Sequence, residues 1–234
     1  MIYTYAELHL HTSESSHCGE VSAHESIPLF KENGYDLVCI TDHFNRRYFP
    51  SGDISPAEWK SAVEKWFAGW YAAREEGEKC GITVLHGAEF ELDSTDCEYL
   101  VYGVTDEMFL DIPKLYKMTL PEFSHFAEEN GIFVALAHPY RRNERPDPRY
   151  YSGAEVFNGH PGHDAHNEMA AAFAKKHGLI PLCGQDFHFN AAMTGIKTRF
   201  YGEIKDLKAL VAKLFAKDYD MLLPCGKTVR AKDF

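Results

Sequence analysis

The stretch Ala6–Cys18, AELHLHTSESSHC, sets two histidines, His9 and His11, two residues apart at the end of a run that suits an extended strand. In a strand, side chains at i and i+2 share a face, so both imidazoles converge on one point. Thr12–Ser16 reads as a loop, and His17 lies beyond it, free to fold back over the strand end. Converging neutral imidazoles suit zinc, and also manganese or iron.

Outward from this stretch the same arrangement recurs. Asp36–Thr41 (DLVCIT) is a short apolar run that ends in Asp42-His43. Ile82–Phe90 (ITVLHGAEF) carries Glu89 near its end, where an acid needs a partner or an ion. Ile132–Ala137 (IFVALA) runs into His138-Pro139-Tyr140-Arg141-Arg142, and Leu179–Cys183 into Gly184-Gln185-Asp186-Phe187-His188. Glu98–Val104, Gly153–Phe157 (followed by Asn158) and Tyr219–Leu223 read as further strands. Between them, capping boxes at Ser22/Glu25, Ser55/Glu58 and Thr119/Glu122 predict helices to about Asn33, Cys80 and Asn130. Asp164–His177 and the amphipathic Glu203–Lys217 complete the set. Strand–helix alternation from end to end predicts a single α/β domain over residues 1–234 with a mostly parallel sheet. In a closed or nearly closed barrel all the candidate ligands, which sit after successive strands, share one face.

Composition narrows the function. A formal charge of −11 argues against a nonspecific nucleic-acid binder and fits a carboxylate-rich site that awaits cations. The six cysteines, Cys18, Cys39, Cys80, Cys97, Cys183 and Cys225, form no CxxC pair and read as buried or free thiols of a reducing compartment. No run is apolar enough to span a bilayer and no signal-peptide pattern opens the chain, so the expected location is cytoplasmic, without membrane partners.

His9-Leu10-His11 with His17, Thr41-Asp42-His43, Glu89, His138-Pro139 and Asp186-Phe187-His188 together resemble the motifs of the PHP (polymerase and histidinol phosphatase) family. The resemblance runs from about Glu7 to the C-terminus. It implies a distorted seven-stranded (β/α) barrel and a metal-dependent phosphoesterase with two or three divalent ions (Zn, Mn or Fe). It also implies a division of ligands. His9, His11, Glu89 and Asp186 would hold one metal, Glu89 would bridge to a second that His138 also binds, and His17, His43 and His188 would hold a third. Asp42 would orient a neighbouring imidazole rather than ligate. Full members place a further histidine on the strand after the Glu89 position. Glu98–Val104 has none, so the second metal is expected to be weakly held unless Glu98 substitutes.

The implied reaction is hydrolysis of a small phosphomonoester by a metal-activated water, with Asp186 and His188 at the catalytic centre. Arg141 or Arg142, on the loop after His138, would clamp the substrate phosphate. Of the remaining histidines, His24, His86, His125 and His177 read as surface or core residues, while His160, His163 and His166 stand near the strand end after Asn158 and could line the pocket. Two other readings stand beside the phosphoesterase: a C–N hydrolase of amidohydrolase type, and a non-catalytic metal-binding module. The sequence leaves open the ester, the metal in vivo and the oligomeric state.

Overall fold

In the computed structural model, which describes residues 2–141, 145–224 and 226–234, the run ahead of the first histidine pair forms β1 (Tyr3–Leu10). After it come α1 (Ala23–Glu32), β2 (Leu37–Ile40), β3 (His43–Phe44), α2 (Pro56–Trp66), α3 (Ala68–Cys80) and β4 (Thr83–Glu91). Next are β5 (Glu98–Tyr102), α4 (Asp106–Asp111), α5 (Leu120–Glu129), β6 (Phe133–Leu136), β7 (Gly153–Asn158), α6 (Asn167–His177) and β8 (Ile180–Gly184). The last elements are β9 (Lys197–Tyr201), α7 (Leu207–Phe215), β10 (Tyr219–Leu222) and β11 (Thr228–Arg230). The three capping boxes start α1, α2 and α5, as their sequences predict.

All strands belong to one curled sheet ordered β11-β10-β9-β1-β2-β4-β5-β6-β7-β8, with β3 beside β4. The two ends of the β1-to-β8 arc approach each other through a parallel bridge between Leu10 and Phe187. Phe187 N donates to His9 O, and His11 N to Phe187 O, each at 3.0 Å. These bonds seat the Asp186-Phe187-His188 segment directly beside the His9/His11 strand end.

The sheet departs from a uniform (β/α)7 alternation in two places. β5 runs antiparallel to both β4 and β6, because β4 and β5 are joined as a hairpin without a helix. β9, β10 and β11 form an antiparallel extension off the outer edge of β1. Lys197–Tyr201 was not expected as a strand.

The single helix expected over 55–80 is two, broken at Phe67. Ser15 causes the break. Its Oγ donates to Trp66 O at 2.6 Å and accepts from Gly69 N at 2.8 Å, so a side chain takes over part of the helical ladder. A Cβ at Gly69 would lie 1.9 Å from Thr12 Oγ1, so only glycine lets α3 come this close to the loop after β1. The aromatic stripe of α2 packs outside the sheet, where Trp59, Trp66, Phe44, Phe90 and Phe109 form one cluster.

Candidate metal centre

Glu7 and His9 alternate along β1 and His11 follows one residue past its end, all three buried. The loop after β1 is fastened by Asp42, whose carboxylate accepts from Thr12 N, Thr12 Oγ1 and Ser16 Oγ, each at 2.7 Å. With its proton given to Asp42, Ser16 Oγ is left to accept from His11 Nδ1 at 3.3 Å and from His43 N at 3.1 Å. Asp42 thus acts on His11 through a serine and is no candidate ligand.

The same logic fixes two other rings. His9 Nδ1 lies 2.9 Å from Glu155 Oε1, and His188 Nδ1 lies 2.8 Å from the carbonyl of Asp186. An acceptor at Nδ1 places the proton there and leaves the Nε2 lone pair free to face the centre. His9 Nε2, His11 Nε2, His43 Nδ1 and Asp186 Oδ1 are buried and have no hydrogen-bond partner. Orphaned polar atoms at this depth cost free energy unless an ion or a water pairs with them.

Their spacing distinguishes the two. His9 Nε2 lies 3.4 Å from Glu89 Oε1 and 3.3 Å from Asp186 Oδ1, while His11 Nε2 lies 3.3 Å from Glu89 Oε2 and 3.4 Å from Asp186 Oδ1. Donors about 2.1 Å from one ion stand about 3.0–3.4 Å apart along the edges of a coordination polyhedron. The residues present therefore fit divalent cations. Glu89 faces two sides at once: Oε1 is 2.9 Å from His138 Nε2, and Oε2 is 3.0 Å from His43 Nδ1.

Among the described residues, four groups of side chains could hold an ion: His9, His11 and Asp186; His9, Glu89 and His138; His43, Glu89 and Glu98; and His11, Cys18, His43 and His188. Two expectations are corrected here. His17 is exposed, stacks on Tyr48 with ring centroids 4.6 Å apart, and belongs to none of these groups. A turn closed by Gly19 N donating to Ser16 O sends His17 outward and Cys18 inward, and a Cβ on Gly19 would lie 2.8 Å from the Thr12 backbone. Nor is the place beside Glu89 and His138 vacant. Glu98, buried at the start of β5, lies 3.6 Å from His138 Nε2 and 3.8 Å from His43 Nδ1, so a carboxylate stands near the place where the sequence lacks a histidine, grouped with His43 and Glu89.

Burial opposes charge on Asp186 and Glu89. Without an ion, the charged forms of His9 and Arg141 outweigh it for Asp186, and those of His9 and His43 for Glu89, and hold both carboxyls well below the usual range. Against burial, the same acids raise His9 and His43 well above the ordinary histidine value, so each of these rings releases a proton when it ligates. Burial pushes His188 down to about 3, so this ring is neutral near pH 7 and needs no deprotonation before it ligates. His138 and Asp186 both take positive φ, 27° and 52°, a strained conformation for residues with side chains. Both sit just past strand ends, where the strain aims the side chain back over the sheet.

Beneath the ligands lie two carboxylates outside the family motifs. Glu155 Oε2 accepts from His138 N at 3.0 Å and from Asn158 Nδ2 at 2.9 Å, so one acid braces both His9 and the His138 turn. Glu155 is an acid in an apolar strand, as Glu89 is, and that signal could have found it. Glu7 Oε1 accepts from the backbone of Leu8, His9 and Gln185, and burial raises its carboxyl to about 7. Gly184 makes room for both acids, since a Cβ there would lie 2.6 Å from His9 Cβ and 3.0 Å from Glu155 Oε1.

The centre opens into a pocket of about 550 Å³ whose wall includes Arg141, His160, His163 and Phe189. Arg141 Nη2 donates to Asp186 Oδ2 at 2.7 Å and to Asn158 Oδ1 at 3.0 Å, while its Nε has no partner. Arg142 lies outside the described residues. His166 is exposed, with Nδ1 3.3 Å from Asp164 Oδ2, and is not part of the pocket wall.

Solved structures that share this fold include three from different bacteria. A two-domain protein from Bacteroides vulgatus, described as containing a predicted PHP-like metal-dependent phosphoesterase, superposes with a TM-score of 0.67 at 17% identity. The match covers 95% of this chain and 65% of that one, so this chain spans less than two thirds of its length. PsfC from Pseudomonas syringae gives 0.60 at 19% identity over 91% of this chain and 88% of that one. An amidohydrolase from Chromobacterium violaceum, with bound sulfate and no metal, gives 0.55 at 15% identity over 94% and 98%. No curated protein matches the sequence. The family model for the PHP domain matches residues 7–220, which takes in every candidate ligand from His9 to His188. This chain belongs to the PHP family.

Proposed function

We propose that the chain is a metal-dependent phosphoesterase that hydrolyses a small phosphomonoester. The observation that carries the reading is the convergence of orphaned, tautomer-fixed nitrogens and carboxylate oxygens at the floor of a pocket that also presents a guanidinium. His9, His11, Glu89 and Asp186 would hold one cation. Glu89, His138 and Glu98 would hold a second, and His43 and His188 contribute to a third. Bound divalent ions would supply Lewis-acid stabilisation of the phosphoryl oxygens and a water acidified enough to act near neutral pH.

The chain's own residues do the rest. Glu155 and the Asp186 carbonyl hold His9 and His188 in the ligating tautomer. Arg141, already charged and anchored to Asp186, offers its remaining donors to a phosphate at the mouth and offsets the repulsion of a dianion by the surrounding acids. Asn158 keeps that guanidinium in place from the other side. The pocket is too small to enclose a macromolecule and suits a small phosphorylated molecule.

An activity panel of phosphate esters and amides, run with Mn, Zn and Fe added separately, tests enzyme status and reaction class together. Ester turnover that depends on added metal is the expected result. Cleavage of amides without esters would transfer the chain to the C–N hydrolase reading, which the description of the Chromobacterium neighbour favours.

A further inference from the structure

His11, Cys18, His43 and His188 bring one donor atom each within 4.8 Å of one another at the solvent side of the centre. His11 Nε2, a ligand of the inner cation in the reading above, forms the floor of this cluster, so the donors left for a separate outer ion are His43, His188 and the Cys18 thiol at the lip. The Nε2 lone pair of His188, freed by the Nδ1 bond to Asp186 O, points at Cys18 Sγ across 3.2 Å. With the thiol protonated this contact is an S–H···N hydrogen bond; once that proton leaves, sulfur and nitrogen face a common point as two ligands of one ion do. The turn from Ser16 to Gly19 aims the thiol here, and it turns His17 away to the Tyr48 ring.

We propose that Cys18, as its thiolate, is the third protein ligand of an outer metal position completed by His43 and His188. The assignment rests on the metal-dependent reading above and deepens it, because a thiolate changes which ion the position takes. Two imidazole nitrogens and one sulfur make a soft, three-donor set that favours zinc, iron(II) or cobalt(II) over manganese and magnesium. On binding, the thiol proton passes to solvent and sulfur forms the bond to the cation. The outer position therefore differs from the inner ones, whose carboxylates also accept hard ions. The placement also makes metal loading sensitive to thiol oxidation, since Cys18 is exposed whereas Cys39, Cys97 and Cys183 are buried.

Cobalt(II) is the probe. The purified chain, stripped with a chelator and titrated with cobalt, should develop a sulfur-to-cobalt charge-transfer band in the near ultraviolet. Cys18→Ser should lose that band while keeping the weaker visible bands of cobalt at the inner positions; His17→Ala should keep both. On the unaltered protein, zinc should slow iodoacetamide alkylation of the Cys18 peptide by about tenfold or more. A band that survives Cys18→Ser, or an alkylation rate at Cys18 that zinc does not change, overturns the assignment. In that event metal-dependent ester cleavage still tests the phosphoesterase reading on its own. A chain that retains no cobalt and cleaves no ester defeats both.

Discussion

Strand β4 carries two residues with opposite fates, Glu89 on its inner side and His86 on its outer side. Both are buried, at 1% and 3% exposure, so burial does not tell them apart. Nor does cavity size, since His86 borders a space of about 860 Å³ while the Glu89 pocket holds about 550 Å³. The difference is whether the polar atoms are satisfied. His86 Nδ1 meets Asp106 Oδ1 at 2.7 Å, and its ring lies flat on Trp70, 4.9 Å away and 7° from parallel. Around Glu89 the nitrogens of His9, His11 and His43 meet nothing that completes them. A buried imidazole is a ligand candidate when its free nitrogen is unpaired or meets only other prospective ligands, as at His9, His138 and His188, and a packing element when it is paired outside the centre and stacked, as at His86.

The largest expected effects lie on the inner side. His9→Ala and Asp186→Ala should each lower kcat by more than about a thousandfold, the scale on which a preorganised electrostatic stabiliser is lost. Bound metal by elemental analysis should fall with activity. His86→Phe, on the other face, should leave metal content and kcat as they are. If His86→Phe released metal, or Asp186→Ala kept its full complement, the division between the two faces would fail.

Glu155 sharpens the contrast because it touches no ion, yet sits on the inner side. In Glu155→Gln the amide oxygen can still accept from His9 Nδ1, but its NH2 group then opposes the His138 and Asn158 donors. Metal affinity should weaken by about 10- to 100-fold, the usual cost of losing an outer partner of a ligand. Competition with a chromogenic chelator measures it. An unchanged dissociation constant would mean that Glu155 only fills space.

Arg141→Lys is smaller again. Lysine keeps the charge but loses the fork that reaches Asp186, Asn158 and a phosphate together. A fall in kcat/KM of about 3- to 30-fold, roughly 0.7–2 kcal/mol, is expected with metal content unchanged. Parallel kinetics on one active ester decide it, and an unchanged kcat/KM would return Arg141 to a purely structural partner of Asp186.

These residues differ in how legible they are in the sequence. The ligands at strand ends can be read because a strand has period two and the C-terminal rim of a parallel sheet gathers the residues just past each strand. His9, His11, His43, His138, Asp186 and His188 all come from that rule, and the structure brings them together. Cys18 and His17 were not separable, because one step of a turn decides which of two neighbours faces inward. That step depends on Asp42, in the link between β2 and β3, pinning Ser16. Glu98 is a possible substitute by sequence, but only the β4–β5 hairpin shows that it reaches His138. The break at Phe67 was hidden for a similar reason. The helix pattern runs through it, and the interruption comes from Ser15, 51 residues away from Trp66. The direction of β5 escaped because hydrophobic runs carry no sign of it; of the extension, Tyr219–Leu223 was read as a strand, while β9 and β11 are short and carry charged residues that hide them.

The smallest effect belongs to the outer face and concerns acid. Half-burial opposes charge on Asp106, but His86, Trp70 Nε1 and Arg74 hold its carboxyl below the ordinary 3.8. A carboxyl held low in the folded chain binds protons more weakly there than in the unfolded chain. Its stabilisation is complete above the unfolded value and disappears as pH falls through the lower folded one. The Asp106 side chain is 36% exposed, so solvent screens the pair, and Asp106→Asn should cost under about 1 kcal/mol at pH 7. The gap to the unaltered protein should close as pH falls below about 4. Thermal melts of both proteins, stripped of metal and run from neutral to acid pH, measure that gap with the inner ligands cancelling between them. A gap that is constant with pH would show that Asp106 acts as a neutral hydrogen-bond partner and not as a charge. A change in metal content on remetallation would show something stronger: that the two faces of β4 are coupled, and that satisfaction of His86 matters to the orphaned atoms on the other side.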